Sequence, residues 1–255
     1  PGNIKDWTIN PFKPSIKKGH LIGRGANDMK GSVAAFISAV SIFLKRNEKF
    51  NGSISLLITG DEEGDAINGT KKVVDYLIKK KEKINFCLVG EPTNPNKLGD
   101  MIKIGRRGSL TGILTIFGVQ GHVAYPHRAN NPSTTIIKIL NELKNIKFDK
   151  GTKNFQPSNL EVTKININNN ADNVIPGSAK ASFNIRFNNK HSSNSIKKRL
   201  NKIFRKISKK SNSKFKIEYR VSGEAFLTKP NHTTFMIQNI TKKITKVKPK
   251  LSTTG

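Results

Sequence analysis

Two short, nearly unbroken apolar runs, Ser53–Thr59 (SISLLIT) and Ile84–Gly90 (INFCLVG), constrain this chain more than any other feature. Runs of this length without alternation are what strands buried on both faces require. Between them, Thr70–Lys83 carries Val73, Val74, Leu77 and Ile78 at helical spacing. Ahead of them, a helix beginning at Gly31 repeats Val33, Ala34, Ile37, Val40, Phe43 and Leu44 at steps of three and four or close to it. Strand, helix, strand in that order predicts a parallel sheet with a right-handed crossover, an α/β arrangement. Residues 1–30, rich in Gly, Pro and Asn, read as loops with short strands.

The pattern changes after Gly108. Ser109–Gly118 alternates as one long strand, a loop around His122 follows, and a helix is expected from about Pro132 to Ile146. Strands are expected at Asn159–Ile167 and Ser178–Phe187, joined by the turn Asp172-Asn173-Val174-Ile175-Pro176-Gly177. A helix with Ile196, Leu200, Ile203, Phe204 and Ile207 on one face precedes a strand at Lys214–Val221. The order β-α-β-β-α-β is that of a split βαβ, ferredoxin-like unit. The expectation is a first domain made of residues 1–107 and 222–255, with residues 108–221 inserted in it.

Composition narrows the function. No stretch approaches the roughly 18 apolar residues of a membrane span. The lone Cys87 excludes both a disulfide framework and a thiolate zinc site. With no signal-like start, the chain reads as a cytoplasmic protein. Its 46 Lys and Arg against 17 Asp and Glu give a net charge of +29, which raises nucleic acid as a partner. Only nine of those cations are Arg, however, and the lysines scatter over the polar faces of the expected helices. We therefore expect no specific nucleic-acid partner and no membrane. A start at Pro1-Gly2 and a stop at Thr253-Thr254-Gly255 read as a piece of a longer protein, with trimmed termini as the alternative.

Acidic residues are scarce, so their positions carry information. Asp28 lies just before the first helix, Asp61-Glu62-Glu63 follows the first buried run, and Glu91 follows the second. In an open α/β sheet, ligands bind beyond the carboxyl ends of the strands. Taken singly, Asp28 reads equally as a helix N-cap and the 61–63 triplet as a solvated turn. Together, converging carboxylates raise one another's pKa unless a cation sits between them. A divalent metal fits, and an added His would point to zinc. None of His20, His122, His127, His191 and His232 is followed two residues on by Asp, so no short His-x-Asp ligand pair is present.

The ordered set GRGANDMKG, ITGDEEGDAINGT, LVGEPT, GRRGSL, VQGHVAYPHRANNP and DNVIPG resembles the co-catalytic (M20-type) zinc metallopeptidase family, which includes acetylornithine deacetylase and carboxypeptidase G2. The likeness covers essentially the whole chain. GRRGSL with VQGHVAYPH favours the branch acting on succinylated diamino diacids over N-acetylornithine deacetylases and aminoacylases; a metal-free binding homologue is the remaining alternative. The resemblance implies an α/β zinc-peptidase-like catalytic domain with a mostly parallel sheet, and an inserted ferredoxin-like lid and dimerisation domain. It implies two zinc ions, with cobalt as an alternative in one site. Asp28 would bridge them, Glu63 would ligate one and Glu91 the other. Glu62 would be the general base. His122 would reach the other subunit of a homodimer and stabilise the oxyanion. Arg106, Tyr125, Asn173, Arg186 and Thr253 would contact a dicarboxylate amide substrate, with structural salt bridges as the lesser alternative for Arg106 and Arg186. The family's His-x-Asp motif and its last zinc-binding His have no match in the chain, so the piece alone is expected to be inactive and to bind zinc poorly.

Overall fold

The structure, a computed structural model, describes residues 3–64 and 66–254; the turn expected at Pro1-Gly2 lies outside them. The chain divides into two compact units meeting at Thr93/Asn94. In the first, β1 (Ser15–Lys17) and β2 (His20–Ile22) form an antiparallel hairpin, and two helices follow, α1 (Gly31–Arg46) and α2 (Thr70–Lys79). Both helices start where their apolar spacing predicts, α2 ending at Lys79 rather than Lys83, but neither contains a buried residue.

The two buried strands expected at 53–59 and 84–90 are not formed. Among the described residues neither segment pairs with another strand, and their side chains lie exposed, Ile58 at 63% and Val89 at 66%. A strand is defined by its neighbours: without an edge to accept its N–H and C=O groups, an apolar run has neither a ladder nor a covered face.

The second unit has the partners the first lacks. β3 (Met101–Lys103), β4 (Gly105–Arg106), β5 (Gly108–Phe117), β6 (Gly121–His122), α3 (Pro132–Lys144), β7 (Asn159–Asn166), β8 (Val174–Ile175), β9 (Ser178–Phe187), α4 (Ser193–Lys210), β10 (Lys214–Gly223), β11 (Phe226–Leu227), α5 (His232–Thr245) and β12 (Lys250–Ser252) follow in order. Four of these strands build an antiparallel sheet in the order β10-β5-β9-β7. Alternate residues of β5 and β9, including Leu110, Leu114, Ile116, Phe183, Ile185 and Phe187, pack against Ile136 and Ile139 of α3 and Ile196, Leu200 and Phe204 of α4. α4 opens on a reciprocal cap between Ser192 and Ser195, and α3 on Asn131 followed by Pro132. Gly112 faces Phe183 so closely that a Cβ there would come 2.2 Å from the ring, which fixes how the ring lies on the sheet.

The segments on either side of this sheet pair with each other. β12 lies parallel to β3 and β11 antiparallel to β4, so residues 101–106 are tied to residues 226–252. These short pairs escape the sequence reading because two- and three-residue strands carry no periodic signal, and no element is expected from sequence for the stretch that forms α5.

Candidate active site

Asp28 is positioned by the irregular turn Ala26–Lys30 that leads into α1. Gly25 starts it in a left-handed conformation (φ 74°), and Asp28 itself departs from helical angles (φ −121°, ψ 94°). It is therefore not the N-cap considered from sequence; Lys30 takes that position, with no side-chain cap. Glu91 arrives from the other side of α1. The residue before it, Gly90, lies so close to the helix that a Cβ would come 2.8 Å from both the Phe36 ring and Ser32. Only hydrogen at that position allows the approach that brings Glu91 to Asp28.

The two carboxyl groups come within electrostatic range of each other. The Glu91 pKa is raised, first by burial, then by the negative charges of Asp28, Glu62 and Glu63. Three carboxylates from two other loops thus act on Glu91 within the first unit. Asp61 does a different job from its two neighbours. At φ 62° it turns its carboxylate back to accept the backbone N–H groups of Ile67 and Asn68, both at 2.9 Å, and so closes the 61–68 loop. Glu62 and Glu63 remain exposed. Among the described residues no three His, Cys, Asp or Glu side chains gather closely enough to hold a metal ion, so Glu63 is not drawn in beside Asp28 and Glu91.

In the second unit the substrate-facing candidates form two groups. His122 on β6 pairs with Val174 on β8, and Val123 N–H donates to the Asn173 carbonyl at 3.0 Å. The His122 and Tyr125 rings lie 6.0 Å apart, and Arg128 stacks over Tyr125. The His122 Nδ1 accepts from Ala124 N–H at 3.1 Å. Distance in sequence concealed this grouping; the β6–β8 pair creates it.

Arg106, Arg186 and Thr253 belong elsewhere in the unit. Arg106 lies on β4 and Arg186 on β9; both are exposed and neither enters a salt bridge among the described residues. Thr253 is buried and donates its hydroxyl to the Asn154 carbonyl. A cavity of about 120 Å³ is lined by Arg107, Asn154, Gln156, Leu251, Ser252, Thr253 and Thr254. Arg107, passed over in favour of its neighbour, has its pKa lowered by burial and by Arg186. Its Nε is buried without a partner among the described residues, while its terminal nitrogen donates to Asn159 at 3.1 Å. The doubled Arg in GRRGSL was the available signal, but sequence does not tell which of two adjacent residues, here one ending β4 and one between β4 and β5, faces inward.

With this geometry in place, the class can be stated. The model of peptidase family M20/M25/M40 matches residues 1–255, and the chain belongs to that family. It is 77% identical over 255 residues to the succinyl-diaminopimelate desuccinylase of Pelagibacter ubique, covering 100% of this chain and 66% of that protein. It is 49% identical over 254 residues to the desuccinylase of Parvibaculum lavamentivorans, covering 100% of this chain and 64% of that protein. The chain thus spans about two thirds of the length of these curated relatives. Among solved structures it is similar to the aminopeptidase PepT of Bacillus cereus (TM-score 0.69, 17% identity, 95% of this chain and 62% of that one). It is equally similar to an M20 family metallo-carboxypeptidase of Sulfolobus solfataricus (TM-score 0.69, 18% identity, 99% of this chain and 68% of that one). At these identities the likeness shows the fold, an α/β peptidase architecture. Among the described residues no helix is long and apolar enough to cross a membrane.

Proposed function

We propose that the full-length protein containing this chain is a metal-dependent amide hydrolase that cleaves N-succinyl-LL-2,6-diaminopimelate to succinate and LL-2,6-diaminopimelate, in diaminopimelate and lysine biosynthesis. The observation that carries this reading is identity of 77% over every residue of the chain to a protein of that name. Asp28 and Glu91 support it chemically, since the negative charge of Asp28 helps raise the Glu91 pKa, a repulsion that a divalent cation would relieve.

The oxygen-donor chemistry of these carboxylates fits such an ion, although Glu63 stands apart from Asp28 and Glu91 in this structure. Asp28 and Glu91 would hold it, with Glu63 joining as the positive charge removes the repulsion from its neighbours; two zinc ions, or cobalt in one site, suit these oxygen donors once His completes the set. When bound, the metal supplies Lewis acidity and lowers the pKa of water toward neutrality. Glu62 would take the proton of the attacking water and pass it to the departing amine. The oxyanion would be met by His122 of the partner subunit in a homodimer. Arg106, Arg186, Tyr125, Asn173 and Thr253 would orient the substrate, the two guanidinium groups through its carboxylates. Residues 108–221 would form the lid and dimerisation domain, inserted in a catalytic domain of residues 1–107 and 222–255. The pairing of residues 101–106 with 226–252 agrees with that division.

The test completes this chain with the flanking segments of the Pelagibacter ubique relative and compares hydrolysis of N-succinyl-diaminopimelate and N-acetylornithine. A preference for the succinylated substrate on the order of 100-fold or more is expected. Equal or better turnover of N-acetylornithine would overturn the substrate assignment, and no turnover of either would overturn the hydrolase reading.

A further inference from the structure

Asp149 sits in the loop after α3 with its side chain only 5% exposed. Its Oδ1 accepts the Gly151 N–H and the Asn188 amide, each at 2.6 Å. Its Oδ2 meets His191 Nε2 at 3.1 Å and accepts the Ser158 N–H at 3.3 Å. One carboxylate therefore ties together three stretches of chain: its own loop, the end of β9 and the approach to α4. Burial alone would raise its pKa, but the Ser158 hydroxyl, the Gly151 N–H and the Asn188 amide together hold it down to about 2.

The same contacts set the shape of residues 149–158. Asn188 also donates to the Gln156 carbonyl at 3.2 Å. Gly151 takes φ +83°, and a Cβ on it would come 2.8 Å from the Phe155 carbonyl oxygen. The Thr152 hydroxyl accepts the N–H groups of Asn154 and Phe155, and Phe155 is buried. Arg107 holds the far end of the loop through Asn159. What this frame presents outward is the Asn154 carbonyl, and Thr253 donates its hydroxyl to that oxygen from 99 residues away. Asn154, Gln156 and Thr253 line the same cavity.

We infer that Asp149 is a positioning residue, which fixes Thr253 by setting the direction of the Asn154 carbonyl. The inference rests on the proposed reading only in giving Thr253 a substrate contact. Replacing the carboxylate by an amide turns one acceptor into a donor that faces donors, so the loop must rearrange and release Thr253. A residue acting on substrate through another should raise KM with little change in kcat, because it removes binding common to ground and transition states.

The test uses the completed full-length protein. Asp149→Asn and Thr253→Val are each expected to raise KM about 10-fold with kcat changed less than about twofold, and the double variant to be no worse than Thr253→Val alone. Multiplying effects would overturn the inference, as would an Asp149→Asn variant with unchanged KM. Ser158→Ala keeps the charge and removes one donor; should Asp149→Asn fail to fold, it takes the same place in the cycle with a smaller shift in the same direction. Independently of substrate, the Thr253 methyl resonance should move in Asp149→Asn or Ser158→Ala while that of Thr111, on the central strand, stays in place. A still Thr253 signal sinks the inference even in an active enzyme. If the wild type proves inactive, the functional proposal falls and the methyl signal alone decides the positioning role.

Discussion

The two units were written with the same apolar alphabet and came out differently. In the second, Phe183, Leu200 and Ile139 are fully buried between a four-stranded sheet and two helices. In the first, Ile54, Leu57, Ile58, Ile84, Phe86, Leu88 and Val89 are all about half or more exposed, and both helices lack a buried residue. Yet the first unit gathers the carboxylates. The buried core and the cluster of carboxylates thus lie in different halves of this chain, and a hydrophobic pattern becomes a core only where a second layer of the same chain covers it.

The contrast can be broken most directly in the core. Phe183→Ala should cost about 3–5 kcal/mol in denaturant unfolding of the 255-residue chain, since Phe183 is 0% exposed and packs on Phe204. A loss under about 1 kcal/mol would mean the second unit is no better packed than the first. Next in size, Glu62→Gln in the full-length protein should lower kcat on the order of 100-fold, about 2.7 kcal/mol, without changing the unfolding midpoint. Normal turnover would remove Glu62 from the chemistry. Gly90→Ala should cost about 1–3 kcal/mol by pushing the Glu91 segment off α1, and should return the Glu91 pKa toward its ordinary value in a carboxyl NMR titration.

Acid should affect the two halves of the metal-free chain in opposite directions. Asp149 is depressed to about 2 from 3.8, so its contribution is complete above the ordinary value and is lost as pH falls through about 2. Glu91 is raised from 4.5, so its contribution is present below that value and is lost as pH rises through the raised one. Carboxyl titration curves read residue by residue check both signs. The smallest effect is expected at Ile58→Ala, within about 0.5 kcal/mol in this chain, because Ile58 is 63% exposed; a core-sized loss there would show that the run is covered after all.

Much of the second unit was legible. Ser178–Phe187 and the starts of the strands at Asn159 and Lys214 match their periodicity to within a residue, and the face of α4 carries the expected apolar residues, because alternation and helical spacing were unmixed there. The carboxylates were legible for another reason: in a chain with 17 acidic residues, clusters just after apolar runs stand out. The roles within DEE were not, since only the 61–68 loop reveals that Asp61 serves the backbone. Arg107 and Asp149 were not legible either, as each matters through partners about 40 to 50 residues away.

The amino-acid order alone settled four helices, which long strands alternate, and where acid is concentrated, because those are local properties of spacing and side-chain type. Tertiary structure decided which apolar runs become strands, which carboxyls meet and which cation turns inward. Each of those depends on a neighbour that sequence distance hides: Gly90 has to fit against Phe36 before Glu91 can find Asp28.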